Sequence, residues 1–149
     1  MSTMSKPTRE QILAEPAGTT LDGWVAEYVM GWPVYTLEQE LHDGNTPRPH
    51  CVRCFDVAGK NALHVFRADS SGGWWCPSET IAAAWEVVQV MQGMLPLGLV
   101  SILSGDDGIW RAAFGWVPGR VSGMKYADAE TPMLAICRAA LLLKIEGAR

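Results

Sequence analysis

Cysteine and histidine side chains are concentrated in the middle of the sequence, where they could hold a metal ion. Cys51 and Cys54 are separated by two residues, which is the spacing of a zinc knuckle. Four further candidate ligands lie nearby in the sequence: His42, His50, His64 and Cys76. If Cys51 begins a β-strand, however, residues three apart face opposite sides of the sheet. We therefore expect free cysteines with no metal and no cofactor, and a zinc-stapled structural module stays as an alternative.

Two adjacent tryptophans, Trp74 and Trp75, follow a Ser-Ser-Gly-Gly loop and come directly before a predicted helix. Indole rings stack on nucleobases, and the free N–H groups at a helix N-terminus attract phosphate. This combination favours a site for a nucleotide-like ligand. The alternative is that the rings cap the hydrophobic core, as large aromatic side chains commonly do.

The segment from residue 44 to residue 68 is basic within an acidic chain. It holds four basic residues and a single acid, Asp56, whereas the whole chain has 16 acidic and 12 basic residues and a net charge of −4. A positive surface of this kind suits an anion, although charges also keep the edge of a hairpin soluble. Together with the tryptophans, it gives a predicted binding site for a small anionic, nucleotide-like ligand: Arg53, Arg67, Trp74, Trp75 and Arg111.

No arrangement of a nucleophile, a base and a helper residue stands out in the sequence. Neither a Gly-x-Ser-x-Gly motif nor a phosphate-binding loop is present. Asp106 and Asp107 lie in a glycine-flanked turn, where solvation is the usual reason for carboxylates. We therefore expect a binding protein with no catalytic residues.

Length and composition indicate one globular domain. The chain has 149 residues, of which 48% are hydrophobic and 19% charged, so a wholly disordered or low-complexity protein is excluded. The acidic balance disfavours binding to bulk nucleic acid or to an anionic membrane. The polar N-terminus does not resemble a signal peptide, and the longest apolar runs are too short to span a bilayer, so we expect a cytoplasmic protein.

Turn signals and hydrophobic periodicity predict an α+β fold in the order helix, hairpin, helix, hairpin, helix, with a short helix before them. Strands joined as hairpins predict an antiparallel sheet, and the helices between them can cover both of its faces. The predicted helices cover residues 8–15, 20–30, 78–93 and 131–146. Thr8 is expected to cap the first, and Thr19 or Thr20 the second, in whose first turn the helix dipole favours the acid Asp22. The predicted hairpins pair 51–57 with 62–68 and 97–104 with 109–117. We expect an N-terminal extension over residues 1–19 and a single αβα-sandwich domain over residues 20–147, in which residues 43–70 form a hairpin insertion.

Two of the predicted helices lead to expectations about packing. In the third, one apolar face consists of five residues at helical spacing: Ile81, Ala84, Trp85, Val88 and Met91. The last helix is capped by Thr131 and is apolar almost all round, so we expect it to be partly buried against another subunit of a homo-oligomer. Its one charged residue before Leu143, Arg138, is expected to form a structural ion pair with Glu27 or Asp128.

Three segments together resemble the phage ABA sandwich domain family of small phage and prophage proteins. They run from Leu21 to Trp32 (LDGWVAEYVMGW), from Pro77 to Val88 (PSETIAAAWEVV) and from Thr131 to Leu141 (TPMLAICRAAL). The resemblance implies a three-layer α/β/α sandwich and a phage or prophage gene, which makes the expected location the host cytoplasm. By analogy with phage proteins that sequester nucleotide immune signals, we expect an anti-defence function. The alternative is an interaction module that acts on a host or phage protein.

Overall fold

The computed structural model describes residues 6–36, 50–55, 61–66, 75–94, 98–116 and 125–146. Its helices are α1 (Arg9–Ala14), α2 (Thr19–Trp24), α3 (Ile81–Met94) and α4 (Pro132–Glu146), and α2 continues as a π-helical segment, Val25–Val29. The strands are β1 (Val34–Thr36), β2 (His50–Phe55), β3 (Asn61–Phe66), β4 (Gly98–Ser104), β5 (Trp110–Trp116) and β6 (Lys125–Ala129). The predicted α+β class is confirmed.

Local capping chemistry fixes where two of the helices begin. The Thr8 hydroxyl accepts a hydrogen bond from the Gln11 N–H, and the Gln11 side chain accepts one from the Thr8 N–H, which is a capping box. At α4, the Thr131 hydroxyl accepts from the Leu134 N–H. Both starts agree with the predicted capping residues. The predicted threonine cap of α2 is wrong, because Gly18 occupies the cap with φ 155°.

The strands form two three-stranded sheets among the described residues, in the orders β1-β2-β3 and β4-β5-β6. Both predicted hairpins are present, and the second sheet is antiparallel throughout. The expectation of a purely antiparallel sheet is wrong for β1, which runs parallel to β2 with Val34 opposite Cys51. The intervening residues 37–49 are long enough for the crossover that parallel pairing requires. Strand β6 was not predicted from the sequence.

Helix α4 forms the centre of the hydrophobic core. It packs on β5 and β6, and it also contacts α1, α2, the π-helical segment and α3. Its apolar residues from Leu134 to Leu143 are buried within the single chain, with Arg138 as the partly exposed exception. The expectation that this helix needs a partner subunit to cover it is therefore wrong, because β5, β6, α3 and the π-helical segment cover most of it, with α1 and α2 adding to them.

The predicted face of α3 is only partly correct. Ala84, Val88 and Met91 are buried as expected, but Ile81 and Trp85 are 56% and 50% exposed. The buried face is shifted towards Ala83, which contributes to the core with Val87. The shift follows from packing against α4 and β4. A helix layer on each side of one sheet, as the three-layer arrangement requires, stays a prediction.

Candidate binding cleft

Two of the five residues of the predicted ligand site, Arg67 and Trp74, lie outside the described residues. The backbone of Arg53 lies in β2 opposite Leu63, and its side chain also lies outside the described part of the chain. The structure therefore describes the side chains of Trp75 and Arg111 only. Whether the five residues converge on one ligand stays a prediction.

The indole of Trp75 belongs to the hydrophobic core. It is 4% exposed, and its ring centroid lies 4.6 Å from that of Trp32, with the two rings tilted by 55°. This geometry corresponds to the core-capping alternative for this tryptophan. A nucleobase would have to displace packed side chains before it could stack on the Trp75 ring.

Arg111 is exposed and has partners within its own sheet. Its Nε lies 2.7 Å from Asp128 Oδ1, and its Nη2 lies 3.0 Å from Asp128 Oδ2, so the two side chains form a bidentate pair. The guanidinium also lies over the Tyr126 ring, 4.5 Å from the centroid. The hydrogen bond to Arg111 lowers the pKa of the Asp128 carboxyl. A ligand phosphate at Arg111 would compete with this carboxylate.

A cleft of about 560 Å³ opens on another part of the molecule, between the loop after α1, the turn before α3 and the start of α4. Its volume is within the usual range of small-ligand pockets. The apolar part of its lining includes Pro16, Met133 and Leu134. The polar part consists of Ser78, Glu79, Glu130, Thr131 and Arg138.

Arg138 joins the segments that enclose the cleft. Its Nη2 donates to the Glu15 carbonyl at 2.9 Å, and its Nη1 donates to the Asp128 carbonyl at 3.2 Å. Its Nε is buried and has no hydrogen-bond partner among the described residues. The expected ion pair with Asp128 is wrong, because Arg138 contacts the Asp128 backbone carbonyl and the Asp128 carboxylate is bound to Arg111. The guanidinium holds the loop after α1 against the end of β6.

Ser78, at the cleft lining, is fixed by a buried carboxylate behind it. Asp22 and Ser78 are 3% and 1% exposed, and the Ser78 N–H donates to Asp22 Oδ1 at 2.8 Å. The Ser78 hydroxyl in turn accepts from the Gly18 N–H at 3.0 Å. Burial raises the pKa of Asp22 to about 6, although the hydrogen bonds from Ser78 act in the opposite direction.

Sequence reasoning assigned Asp22 only to the first turn of a helix, where the helix dipole favours an anion. A signal for its burial was nevertheless present, since it stands beside the apolar positions Leu21, Trp24 and Val25. An acid that close to an apolar helical face requires a hydrogen-bond partner. That partner, Ser78, is remote in sequence and could not be identified from the local pattern.

Glu79 and Glu130 supply the exposed negative charge of the cleft. Each glutamate stands just before a helix, Glu79 ahead of α3 and Glu130 ahead of the Thr131 cap of α4, where the dipole favours an anion. Arg138 contributes one positive charge, and both of its Nη atoms donate to backbone carbonyls, so the two glutamates leave the lining with a net negative charge. The cleft therefore combines apolar walls with accessible carboxylates, which suits a cationic group on an aliphatic stem.

The described cysteines do not add a metal site to the cleft. Burial raises the pKa of the Cys76 and Cys137 thiols, with the larger shift at Cys137, which is fully buried. Within the described ranges, no group of three or more candidate ligands is found. Cys51 and Cys54 lie in β2, and their side chains are outside the described part, so the zinc alternative stays a prediction.

Comparisons with known proteins agree with the resemblance seen in the sequence. The family model described as the phage ABA sandwich domain matches residues 23–141. No curated protein and no solved structure gives a significant match. Among the described helices, none is both long and apolar enough to cross a membrane.

Proposed function

The chain belongs to the phage ABA sandwich domain family, and we propose that this small phage protein acts by binding a partner protein in the cleft between α1, α3 and α4. The proposed occupant is a segment of a host or phage protein that presents a lysine or arginine side chain. The observation that carries the proposal is the pair of exposed carboxylates, Glu79 and Glu130, at an otherwise largely apolar cleft.

The chemistry of the lining selects this kind of occupant. The aliphatic stem of a lysine or arginine packs on apolar surface while its charged end stays near water. Pro16, Met133 and Leu134 offer such a surface, and the glutamates offer acceptors for the charged end. An anionic ligand is less suitable, because Glu79 and Glu130 would repel it and both Nη atoms of Arg138 already donate to carbonyl groups.

Sequestration of a small anionic, nucleotide-like ligand is the second candidate function. The basic composition of residues 44–68 supports it. Because Trp75 is buried and Arg111 is paired with Asp128, this candidate depends most on Arg53, Arg67 and Trp74. A homo-oligomer and an anti-defence role belong to this proposal as well.

The cleft proposal can be tested with two short blocked peptides that differ only at their central residue, acetyl-Ala-Lys-Ala-amide and acetyl-Ala-Gln-Ala-amide. In an NMR titration, we expect the lysine peptide to shift amide signals at Ser78, Glu79 and Thr131 in a saturable manner. The glutamine peptide should shift them much less. Equal shifts with both peptides, or none with either, would contradict the proposal.

The charge dependence is tested with the double variant Glu79→Gln/Glu130→Gln. We expect the affinity for the lysine peptide to fall by about three- to tenfold, because an exposed charge pair contributes up to about 1 kcal/mol. Glu10→Gln, on the exposed surface of α1 and outside the cleft lining, is the matched control and should bind as the wild type does. For the nucleotide candidate, ADP is the probe, and Trp74→Ala and Arg67→Ala should abolish its binding.

A further inference from the structure

Among the described strands, β4 lies at the edge of its sheet. Among the described strands it pairs on one side only, with β5. Its sequence, Gly-Leu-Val-Ser-Ile-Leu-Ser, contains neither a charged residue nor a proline. Natural edge strands usually carry lysine, proline or a bulge, which prevents them from pairing with another chain. The composition of β4 therefore favours pairing along the edge that β5 does not occupy.

The exposed face of the same strand carries a large apolar side chain. Leu103 is 63% exposed, and it lies opposite Arg111 in the register with β5. Because side chains alternate along a strand, Ser101 shares the face of Leu103, whereas Ile102 lies on the opposite face and packs against the hydrophobic core. An exposed leucine on an unprotected edge is typical of a surface that another strand covers.

We propose that β4 pairs antiparallel with β4 of a second copy of this chain, about a twofold axis through Ser101. Ser101 is the central residue of the strand. In this register, Leu99 lies opposite Leu103 of the partner subunit and Val100 lies opposite Ile102 of the partner subunit. Apolar residue types thus stand at opposing register positions, and no like charges oppose each other. The two β4-β5-β6 sheets become one continuous sheet.

Helix α3 independently supports this contact between the two β4 strands, which we call the seam. It packs on β4 and on α4, and α4 covers β5 and β6, so α3 lies on the β4 side of the sheet. Its exposed residues Ile81 and Trp85 adjoin the buried residues Ala84 and Val88 on the helical wheel. Pairing of the two β4 strands would bring the two copies of α3 together over the seam, where Ile81 and Trp85 can be buried.

This inference does not depend on the cleft proposal, because no residue of β4 lines the cleft. It also differs from the expectation that α4 forms the subunit contact, since α4 is buried within the chain. The proposed self-association uses a different surface, which consists of Gly98–Ser104 and the exposed flank of α3.

The test is sedimentation equilibrium of the full chain from about 1 to 100 µM, the range in which a small interface assembles. We expect a dimer for the wild type. Ser101→Lys places two like charges opposite each other at the axis and should weaken self-association at least about tenfold. Leu103→Lys should act in the same direction. Leu13→Lys, at an exposed leucine of α1, is the matched control and should leave the dimer intact.

A second variant keeps the test independent of charge. Ser101→Cys should form a disulfide between two copies under mild oxidation, because directly opposed strand residues have Cα separations compatible with that bond. Tyr126→Cys on β6, away from the seam, should not exceed the background of the wild type. A monomeric wild type over the whole range, or any assembly that survives Ser101→Lys and gives no Ser101→Cys crosslink, would overturn the proposal.

Discussion

Two aspartates in this molecule have opposite pKa shifts, although both are hydrogen-bonded. Asp22 is buried behind the cleft, and its pKa rises to about 6 even though Ser78 donates to it. Asp128 lies on the exposed face of the β4-β5-β6 sheet, and its pKa is lowered by Arg111. The partner of Asp128 carries a full positive charge, whereas the partner of Asp22 offers neutral donors. At Asp22, the neutral donors of Ser78 do not compensate the desolvation of the carboxylate.

Asp22 has a structural role, whereas the Arg111–Asp128 pair lies on the surface. The contacts of Asp22 link α2, the Gly18 cap and the turn before α3, so they determine the shape of the cleft lining at Ser78. The Arg111–Asp128 pair joins two adjacent strands that are already hydrogen-bonded to each other. We therefore expect changes at Asp22 and Ser78 to alter stability and the cleft, and changes at Arg111 to alter little beyond local ionisation.

The largest expected effect is that of Asp22→Asn on the pH dependence of stability. Because the pKa of Asp22 is higher in the folded state than its ordinary value of 3.8, the folded state binds more protons between about pH 4 and pH 6. The contribution of Asp22 to the free energy of unfolding is therefore up to about 3 kcal/mol more favourable below pH 4 than above pH 6. Asparagine can still accept from the Ser78 N–H and does not titrate.

We expect the free energy of unfolding of Asp22→Asn to match that of the wild type near pH 4 and to exceed it increasingly up to about pH 7. Urea denaturation at a series of pH values measures this difference, and the other titrating groups cancel between the two proteins. Glu10→Asn, at an exposed acid, is the control and should show no such trend. A constant difference at every pH would contradict the raised pKa of Asp22.

A smaller effect is expected for Ser78→Ala. The hydroxyl accepts from the Gly18 N–H, and its loss leaves that partly buried donor without its partner, which costs about 1 to 2 kcal/mol. The same hydroxyl lowers the pKa of Asp22, so its removal should raise that pKa further. Chemical denaturation and carboxyl NMR measure the two effects. Ser104→Ala, at an exposed serine, should change neither.

Features fixed by neighbouring residues could be predicted from the sequence. Helix α4 begins at Pro132 after the Thr131 cap, and the turn between β4 and β5 contains Gly108 with φ 79°. The chemistry of both features is contained within a few residues. The family was also recognisable, because three separate helical segments carry the resemblance.

Features that depend on remote contacts could not be predicted. Trp75 was considered for ligand stacking, but its ring is packed against Trp32. The orientation of α3 was misjudged at Trp85, because periodicity locates an apolar stripe without identifying which flank neighbouring elements cover. The parallel pairing of β1 with β2 likewise depends on a partner strand beyond a long connection. In each case the deciding contact joins residues far apart in the sequence.

The smallest effect on stability is expected for Arg111→Gln, which removes the charged partner of Asp128. Loss of the guanidinium should raise the pKa of Asp128 towards 3.8, its ordinary value. A carboxyl group with a lowered pKa stabilises the folded state at pH values above its ordinary pKa, and this stabilisation is lost as the pH falls. Any destabilisation by Arg111→Gln should therefore fade below about pH 4. At neutral pH we expect almost no change in the free energy of unfolding, since exposed ion pairs contribute little. Carboxyl NMR of Asp128 in both proteins measures the shift, and an unchanged pKa would show that Arg111 does not control this carboxylate.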